Sequence, residues 1–217
     1  MWFKRNKKVY PEYWNIYENL FKNEIPQDIS KIRFVVFDTE TTGFSIMSDR
    51  ILCIGALSLE NNTINVHNSF EVYLKQDIYK IESAKIHGIL SNSKKNLIQE
   101  EEAIIQFLAY LGNAVIVAHH AMFDINMVNH ALSRLGLPEL KNKYLDTSTL
   151  YKKTQLKSNL LKKQDFYTLD ELTDKFDISK EDRHTALGDS YITAIAFLKI
   201  VTALKKKKTV TLKSLLR

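Results

Sequence analysis

The sequence predicts a single α/β domain with a mixed five-stranded sheet and helices on its faces. Segments with strand patterns come first, and strand and helix patterns alternate after them, which is typical of this fold class. The chain has 217 residues, and 45% of them are hydrophobic, which is enough to bury one sizeable core. Six glycines and three prolines exclude a collagen-like fibre, and the even spread of hydrophobic residues excludes a disordered chain.

The first three strands are predicted in the first third of the chain. Ile32–Phe37 is apolar except at Arg33, a pattern typical of a strand covered on both faces and therefore central in the sheet. Ile51–Leu59 and Thr63–Leu74 follow as two more strands. Asn61 and Asn62 between them tolerate positive φ, so a tight hairpin and a partly antiparallel sheet are expected.

The pattern then changes to an alternation of helices and strands. The two remaining predicted strands are Ala114–Ala118 and Tyr144–Asp146. The predicted helices are Leu97–Leu111, Met122–Leu135, Thr168–Phe176 and Thr185–Leu204. Helices interleaved with strands in this way are expected to cover both faces of the sheet.

Two extensions are predicted to flank the domain, which we place at residues 31–203. Residues 1–30 are expected to form a helical extension with one aromatic face. Five side chains at helical spacing form that face: Tyr10, Tyr13, Trp14, Tyr17 and Phe21. We favour packing of this helix on the domain over a docking site for another protein or a stacking platform for single strands. Residues 204–217 are expected to form a basic tail.

Positive charge is concentrated at the two ends of the chain. The formal net charge is +6, but Met1–Tyr10 and Leu204–Arg217 hold ten basic residues and no acidic one. The body between them is mildly acidic, with 21 basic and 25 acidic residues. Basic ends suit contact with a polyanion, although the run Lys205–Lys208 alone favours a solvated tail.

The composition also bears on location. The longest aliphatic stretches, Ala114–Ala118 and Ala194–Leu198, are far too short to span a membrane, so a soluble protein without a membrane partner is expected. Met1–Tyr10 leads into polar aromatic sequence rather than an apolar segment, so it does not read as a secretory signal. The one cysteine, Cys53, excludes an internal disulfide and fits a reducing cytoplasm.

Four carboxylates fall at positions where a core is expected. Asp38 and Glu40 end the central strand, and strand alternation places both on one face. Asp124 and Asp189 each lead the apolar stripe of a predicted helix, near its start. A carboxylate in a first helical turn often has only a structural role, but four inward carboxylates from three segments form an oxygen-only site. Such a site suits hard divalent cations such as Mg²⁺ or Mn²⁺.

His184 lies five residues before Asp189, just ahead of the predicted helix, and is a candidate for the rim of this site. A histidine there is able to take a proton from water near neutral pH, the task of a general base. Considered alone, each histidine of the chain is more simply a surface or packing residue. The neighbouring carboxylates distinguish His184 from the others.

Three segments resemble the three sequence motifs of the DEDDh 3′–5′ exonucleases, a family that includes the proofreading epsilon subunit of bacterial DNA polymerase III. The segments are Phe37–Gly43, Ala118–Asp124 and His184–Asp189. The similarity spans roughly Arg33–Ile200 and implies a ribonuclease H-like fold. One departure is His120, where the family often has Asn.

The resemblance implies specific roles for the residues of these motifs. Asp38, Glu40, Asp124 and Asp189 would hold two divalent cations, Mg²⁺ or Mn²⁺, and His184 would be the base. The short segment that contains His87 and Gly88 resembles the one beside the terminal nucleotide in the family. Backbone amides of Thr41, Thr42 and Gly43 are candidates to bind that nucleotide, and Phe44 either packs on its base or only within the loop.

The expected reaction is hydrolysis of the terminal 3′ phosphodiester of DNA, with release of nucleoside 5′-monophosphates. Single-stranded or frayed ends are the expected substrates, because a paired end must be opened before its phosphate enters a crevice. The enzyme is expected to be free-standing or the proofreading subunit of a DNA polymerase. Two alternatives stay open: an RNA-trimming enzyme of the same family, and a non-catalytic module that binds nucleic acid or docks on a polymerase.

Overall fold

The computed structural model describes residues 8–78, 80–89, 96–155 and 166–217. In these ranges the chain forms one mixed sheet of six strands with helices on both faces. The strands are β1 (Phe34–Thr41), β2 (Ile51–Glu60), β3 (Thr63–Leu74), β4 (Leu97–Ile98), β5 (Val115–Ala118) and β6 (Tyr144–Asp146). Their order across the sheet is β4-β3-β2-β1-β5-β6.

The strands β1, β2 and β3 pair antiparallel, whereas β5 and β6 extend the sheet in parallel from β1. The hairpin between β2 and β3 turns at Asn61 and Asn62, both with positive φ, as the sequence predicts. The mixed sheet is therefore confirmed, but the count of five strands is wrong.

The additional strand is β4, which pairs in parallel with the end of β3. We expected these two residues, Leu97 and Ile98, to begin a helix, because their apolar side chains continue its spacing. That helix instead begins at Glu100, where three consecutive glutamates occupy the first turn. Acidic residues are favoured at this end of a helix by its dipole, which accounts for the later start.

Eight α-helices lie in the described ranges. They are α1 (Glu12–Asn19), α2 (Ile81–His87), α3 (Glu100–Leu111), α4 (Met122–Arg134), α5 (Thr147–Thr154), α6 (Leu169–Phe176), α7 (Ala186–Lys205) and α8 (Leu212–Leu216). The sequence patterns indicated α1, α3, α4, α6 and α7. The short helices α2 and α8 are not predicted from the sequence, because five to seven residues carry little periodic signal.

Strand β1 lies at the centre of the core. Its residues Val35 and Phe37 pack in one hydrophobic cluster with α1, α3 and α4, and its residues Phe34 and Val36 pack in a second cluster with α5 to α8. All four side chains are buried. The prediction that this strand is covered on both faces is confirmed. The predicted end at Phe37 is wrong, because the pairing with β2 continues to Thr41, so Asp38 and Glu40 lie in the second half of β1.

The first and the last described helices, α1 and α8, pack on this body. Trp14 and Tyr17 of α1 are buried in the first cluster, consistent with an accessory helix. Residues 204–217, predicted as a basic tail, are not all solvated, since Leu212 and Leu215 of α8 are buried in the second cluster. The run Lys205–Lys208 is exposed. The domain boundaries at residues 30 and 203 stay predictions.

The longest helix, α7, meets the length and composition of a membrane-spanning helix. However, 61% of its most apolar stretch is buried inside the protein. Its apolar composition is thus explained by its position in the second core cluster.

Candidate metal and substrate site

Three carboxylates converge at the end of the central strand. Asp38 and Glu40 share one face of β1, and Asp189 comes from the first turn of α7. One carboxylate oxygen from each of the three lies within 4.8 Å of the others. Side chains separated by 150 residues in sequence therefore meet in one cluster, hereafter the carboxylate cluster.

A glycine in β2 explains how α7 comes so close to β1. Gly55 is the direct partner of Asp38 in the antiparallel ladder. A Cβ atom at Gly55 would lie 2.3 Å from the backbone of Ala186 and of Leu187 in α7, so no side chain fits there. The hydroxyl of Ser190 also donates to the Gly55 carbonyl at 2.8 Å. Our sequence analysis missed Gly55, although a glycine inside a strand often marks a close approach of backbones.

Asp124 lies beside the cluster at the start of α4. It is buried, and its Oδ1 accepts two hydrogen bonds from Thr39, one from the backbone N–H at 3.0 Å and one from Oγ1 at 2.7 Å. Thr39 lies between Asp38 and Glu40 in β1, which ties the first turn of α4 to the strand. Asp124 is near enough for its charge to raise the pKa of Asp38.

The carboxylates share a crowded, poorly hydrated space. Burial raises the pKa of Asp38 well above its usual value, and the charges of Asp124, Asp189 and Glu40 raise it further. Burial and the charges of Asp189 and Asp124 raise the pKa of Glu40 to about 8. Burial raises the pKa of Asp124 to about 7, although the hydrogen bonds from Thr39 oppose this shift. Such a group of like charges calls for a compensating cation.

Arg183 supplies the cation that contacts this cluster in the structure. Its Nη1 donates to both carboxylate oxygens of Asp189 at 2.6 Å, and its Nε donates to Asp170 of α6 at 2.9 Å. Among the ion pairs of the described ranges, only that of Arg183 involves any of the four candidate carboxylates. Sequence reasoning missed Arg183, and its place next to His184 gave no signal of this contact.

His184 is exposed and lies outside the carboxylate cluster. Its φ is +63°, in the left-handed region that non-glycine residues seldom adopt. The hydrogen bond from Arg183 is the main cause that lowers the pKa of Asp170, and the charge of the nearby His184 lowers it slightly further. In this loop the side chain of Arg183 therefore points toward the carboxylate cluster, whereas that of His184 faces solvent.

A crevice of about 390 Å³ opens next to Glu40. It is lined by Thr39, Glu40, Thr41, Thr42, Gly43, Phe44, Lys80, Glu82, Ser83, Ile86, His87 and Phe123. Five of the six predicted substrate residues lie on its wall. The exception is Gly88, which ends α2 with a φ of +69°. The ring of Phe44 is 83% exposed and lies 6.1 Å from that of Phe123, so its face is accessible to a ligand.

A buried carboxylate outside the cluster fixes the loop on one side of this crevice. Asp49 accepts hydrogen bonds from the hydroxyl of Thr42 at 2.7 Å, from the backbone N–H of Ser45 at 2.9 Å and from Lys80 at 2.5 Å. A Cβ atom at Gly43 would lie 2.6 Å from the Asp49 carboxylate, so the loop and this side chain fit closely. Lys80 precedes α2, so Asp49 joins two walls of the crevice.

The departure from the family motif at His120 has a local consequence. His120 has a φ of +55°, and its ring lies 4.4 Å from that of His119. Burial and the charge of His120 lower the pKa of His119 to about 4, so His119 is neutral at physiological pH. Its Nδ1 pairs with the hydroxyl of Thr147 at 2.8 Å.

Comparison with known proteins agrees with this geometry. The sequence model of the Exonuclease (RNase_T) family matches residues 35–197. A DNA polymerase III PolC-type of Caldanaerobacter subterraneus subsp. tengcongensis is 34% identical over 175 residues, which cover 80% of this chain and 12% of that protein. A DNA polymerase III subunit epsilon-like protein of Rhodobacter capsulatus is 33% identical over 192 residues, which cover 87% of this chain and 26% of that protein. The chain thus spans a small part of these relatives.

Solved structures show the same fold. E. coli exonuclease I in complex with a dT13 oligonucleotide superimposes with a TM-score of 0.68 at 16% sequence identity, over 82% of this chain and 42% of that one. At this identity the similarity concerns the fold alone. The family match, in contrast, covers most of the chain and includes all four candidate carboxylates and His184. The chain therefore belongs to the Exonuclease (RNase_T) family of nucleases.

Proposed function

We propose that this chain is a 3′–5′ exonuclease that hydrolyses the terminal phosphodiester of DNA with the help of two divalent cations. The carboxylate cluster beside the crevice is the observation that carries this proposal. A terminal nucleotide in the crevice would place its phosphate next to Glu40, where the cluster begins. Single-stranded or frayed 3′ ends are the substrates we propose, and nucleoside 5′-monophosphates the products.

The chemistry of the cluster fits hard divalent cations. All its donors are carboxylate oxygens, and burial makes their mutual repulsion costly. Asp38, Glu40 and Asp189 would hold Mg²⁺ or Mn²⁺, together with the Asp124 oxygen that Thr39 leaves free. When bound, such cations polarise a phosphodiester and make a nearby water more acidic.

The protein's own residues orient the substrate and move a proton. Backbone N–H groups of Thr41 and Gly43 would bind the terminal nucleotide, whereas the predicted N–H of Thr42 already donates to the Arg50 carbonyl at 2.9 Å. The exposed face of Phe44 would stack on the base. His87 closes the opposite wall of the crevice. His184 would accept the proton of the attacking water, the P–O3′ bond would break, and the departing 3′ oxygen would take a proton from solvent.

DNA is the proposed substrate because of the proteins to which this chain is similar. The curated relatives are DNA polymerase III proteins, and the exonuclease I structure contains a DNA oligonucleotide. The same relatives support a DNA polymerase subunit as partner and the cytoplasm as location. Both are proposals here, since the chain spans only 12% and 26% of those relatives.

The test uses matched DNA and RNA oligonucleotides labelled at the 5′ end, as single strands, duplexes and duplexes with a 3′ mismatch. With Mg²⁺ or Mn²⁺ we expect a ladder of products shortened from the 3′ end, fastest on single-stranded and mismatched DNA. Faster trimming of RNA would assign the RNA alternative. Binding without shortening would indicate a non-catalytic module.

Two variants test the assigned roles. Asp189→Ala should abolish turnover in a folded protein, since it removes a metal ligand; retained turnover would refute that role. His184→Ala should slow the reaction by a factor of about 10² or more at neutral pH, with metal binding unchanged. An unchanged rate would exclude His184 as the base.

A further inference from the structure

We propose that Arg183 is a positioning residue that holds Asp189 in the metal-free protein and must release it before metal binds and His184 enters the site. This inference rests on the proposed function of the carboxylate cluster and adds an order of events to it. Arg183 and His184 are adjacent in sequence, so a change of backbone that moves one of them also moves the other.

The contact between Arg183 and Asp189 leaves no room for a metal ion. One guanidinium nitrogen lies 2.6 Å from both oxygens of the carboxylate and occupies the space between them. Both side chains are mostly buried, with 15% and 10% exposure. A guanidinium stays charged at any physiological pH, so Arg183 repels a metal ion as long as it stays there. Metal and Arg183 therefore exclude each other at Asp189.

Arg183 has a second partner that would keep it in place after release. Its Nε contacts Asp170 of α6, whose side chain is 51% exposed and lies away from the carboxylate cluster. The guanidinium fork is able to retain Asp170 while its other nitrogen leaves Asp189. The move is then a local rotation between two carboxylates and not the exposure of an unpaired buried cation.

The loop that carries Arg183 has a backbone suited to two arrangements. Asp182 and His184 on either side of it both have positive φ, which is costly for residues other than glycine. The next residue, Thr185, fixes the end of the loop, since its hydroxyl donates to the Asp182 carbonyl and accepts from the Gly188 N–H in α7. A change of backbone at residues 182–184 would relieve this strain and turn His184 toward the cluster as Arg183 leaves.

The experiment measures Mn²⁺ binding to the metal-free protein without nucleic acid, by calorimetry and by the loss of the free-ion electron spin resonance signal. Arg183→Gln removes the competing cation, so Mn²⁺ should bind about tenfold more tightly. Asp170→Asn removes the second partner and leaves Arg183 to Asp189 alone, so Mn²⁺ should bind more weakly. Lys180→Gln is the matched control, because it removes the ion pair of the same loop with Asp174 and should leave affinity unchanged.

The two variants should change Mn²⁺ affinity in opposite directions, and this separates the proposed role of Arg183 from a merely structural one. If Arg183 only braced the loop, Arg183→Gln and Asp170→Asn would both weaken Mn²⁺ binding, and that result would overturn the proposal. Thermal unfolding of each metal-free variant shows that it is folded. Should Arg183→Gln fail to fold, Arg183→Met, which also removes the cation, and the weakened binding of Asp170→Asn carry the test. Unchanged Mn²⁺ affinity in both variants would contradict the proposal.

A second readout follows His184 itself. In NMR spectra, the ring signals of His184 should shift when Mg²⁺ is added to the wild-type protein, and should begin near the metal-bound position in Arg183→Gln. Ring signals that do not respond to Mg²⁺ would overturn the proposed exchange, in which Arg183 leaves Asp189 and His184 enters the site. None of these measurements uses nuclease activity. A failure of the proposed exonuclease reaction would therefore show in the oligonucleotide assay, and a failure of the exchange would show here.

Discussion

Two sets of carboxylates near the same crevice, the buried Asp49 and the partly buried Asp38 and Glu40, differ in their hydrogen-bond partners. Asp49 is 2% exposed and receives hydrogen bonds from Thr42, Ser45 and Lys80. Burial raises its pKa, but these hydrogen bonds and the charge of Lys80 bring the pKa below its usual value. Asp38 and Glu40, in contrast, receive no side-chain hydrogen bond from the described part of the chain, and their pKa values are raised.

The difference agrees with a structural role for Asp49 and with the ligand role that we propose for Asp38 and Glu40. A buried charge whose hydrogen bonds are satisfied within the protein stabilises the conformation around it. Buried charges that face one another without partners destabilise the protein until a cation arrives. Asp49 thus holds the loop over the crevice, whereas Asp38 and Glu40 stay available to a metal.

The largest effect is expected for Asp38→Asn. Loss of this ligand should reduce exonuclease activity by a factor on the order of 10³, because a bound cation contributes several kcal/mol to the transition state. The metal-free protein should be as stable as the wild type or more so, since a repelled charge is removed. Activity assays and urea unfolding of the metal-free protein check both parts. A clear loss of stability would contradict the distinction between the two carboxylate groups.

Asp49→Ala should have the opposite pattern, with a clear loss of stability and a smaller loss of activity. The variant leaves buried donors on Thr42 and Ser45 without acceptors, so the free energy of unfolding should fall by about 2 kcal/mol. Activity should decline mainly through a higher KM, because the loop that binds the terminal nucleotide loosens. Lys80→Met is the matched control: Lys80 is 45% exposed, and its loss should cost only about 0.5 kcal/mol. Equal losses for both variants would show that the ion pair, and not the hydrogen bonds, holds the loop.

The stability of the metal-free protein should depend on pH in a direction set by the cluster. The pKa of Glu40 is raised to about 8 and that of Asp124 to about 7, so the folded protein binds more protons than the unfolded chain below these values. Stability should therefore fall as pH rises from about 4.5 to 8, by up to about 1.4 kcal/mol per pH unit for each such proton.

Urea unfolding at several pH values, with and without Mg²⁺, measures this dependence. Mg²⁺ should remove most of the decline, because the cation replaces the protons, and Glu40→Gln should flatten the curve of the metal-free protein. A metal-free protein whose stability rises over this range would show that the cluster is ionised and partnered like Asp49.

The smallest effect is expected for the exposed charges of Lys205–Lys208. If Lys205–Lys208 contact the phosphates of a bound strand, their replacement by Gln should reduce the slope of log affinity against log salt concentration, with stability nearly unchanged. Deletion of residues 204–217 is not a clean test, because Leu212 and Leu215 are part of the core. An unaltered slope would show that this run is only a solvated surface.

Several features of the fold follow from local sequence. The four residues before Asp38, Phe34–Phe37, are all apolar, which is enough to predict a central strand, and strand alternation is enough to place Asp38 and Glu40 on one face. The apolar stripes of α4 and α7 likewise predict that Asp124 and Asp189 are buried. These predictions succeed because strand and helix periodicity depends on neighbouring residues.

Other features could not be predicted from the sequence, and the reason is the same for each of them. Periodicity carries no information about a two-residue strand such as β4, or about a helix as short as α8. The run of lysines predicts a solvated tail, but Leu212 and Leu215 beyond it pack in the second core cluster. Such a contact depends on the folded chain and has no local pattern.

The sequence by itself determined the donors of the site, the strand that carries two of them and the family to which the chain belongs. Tertiary structure decided how close those donors come, since Gly55 lets the backbone of α7 approach β2 beside Asp38. It also decided that Arg183 faces Asp189 while His184 faces solvent. The orientation of side chains in an irregular loop depends on its backbone angles and on partners from distant segments, neither of which has a periodic trace in the sequence.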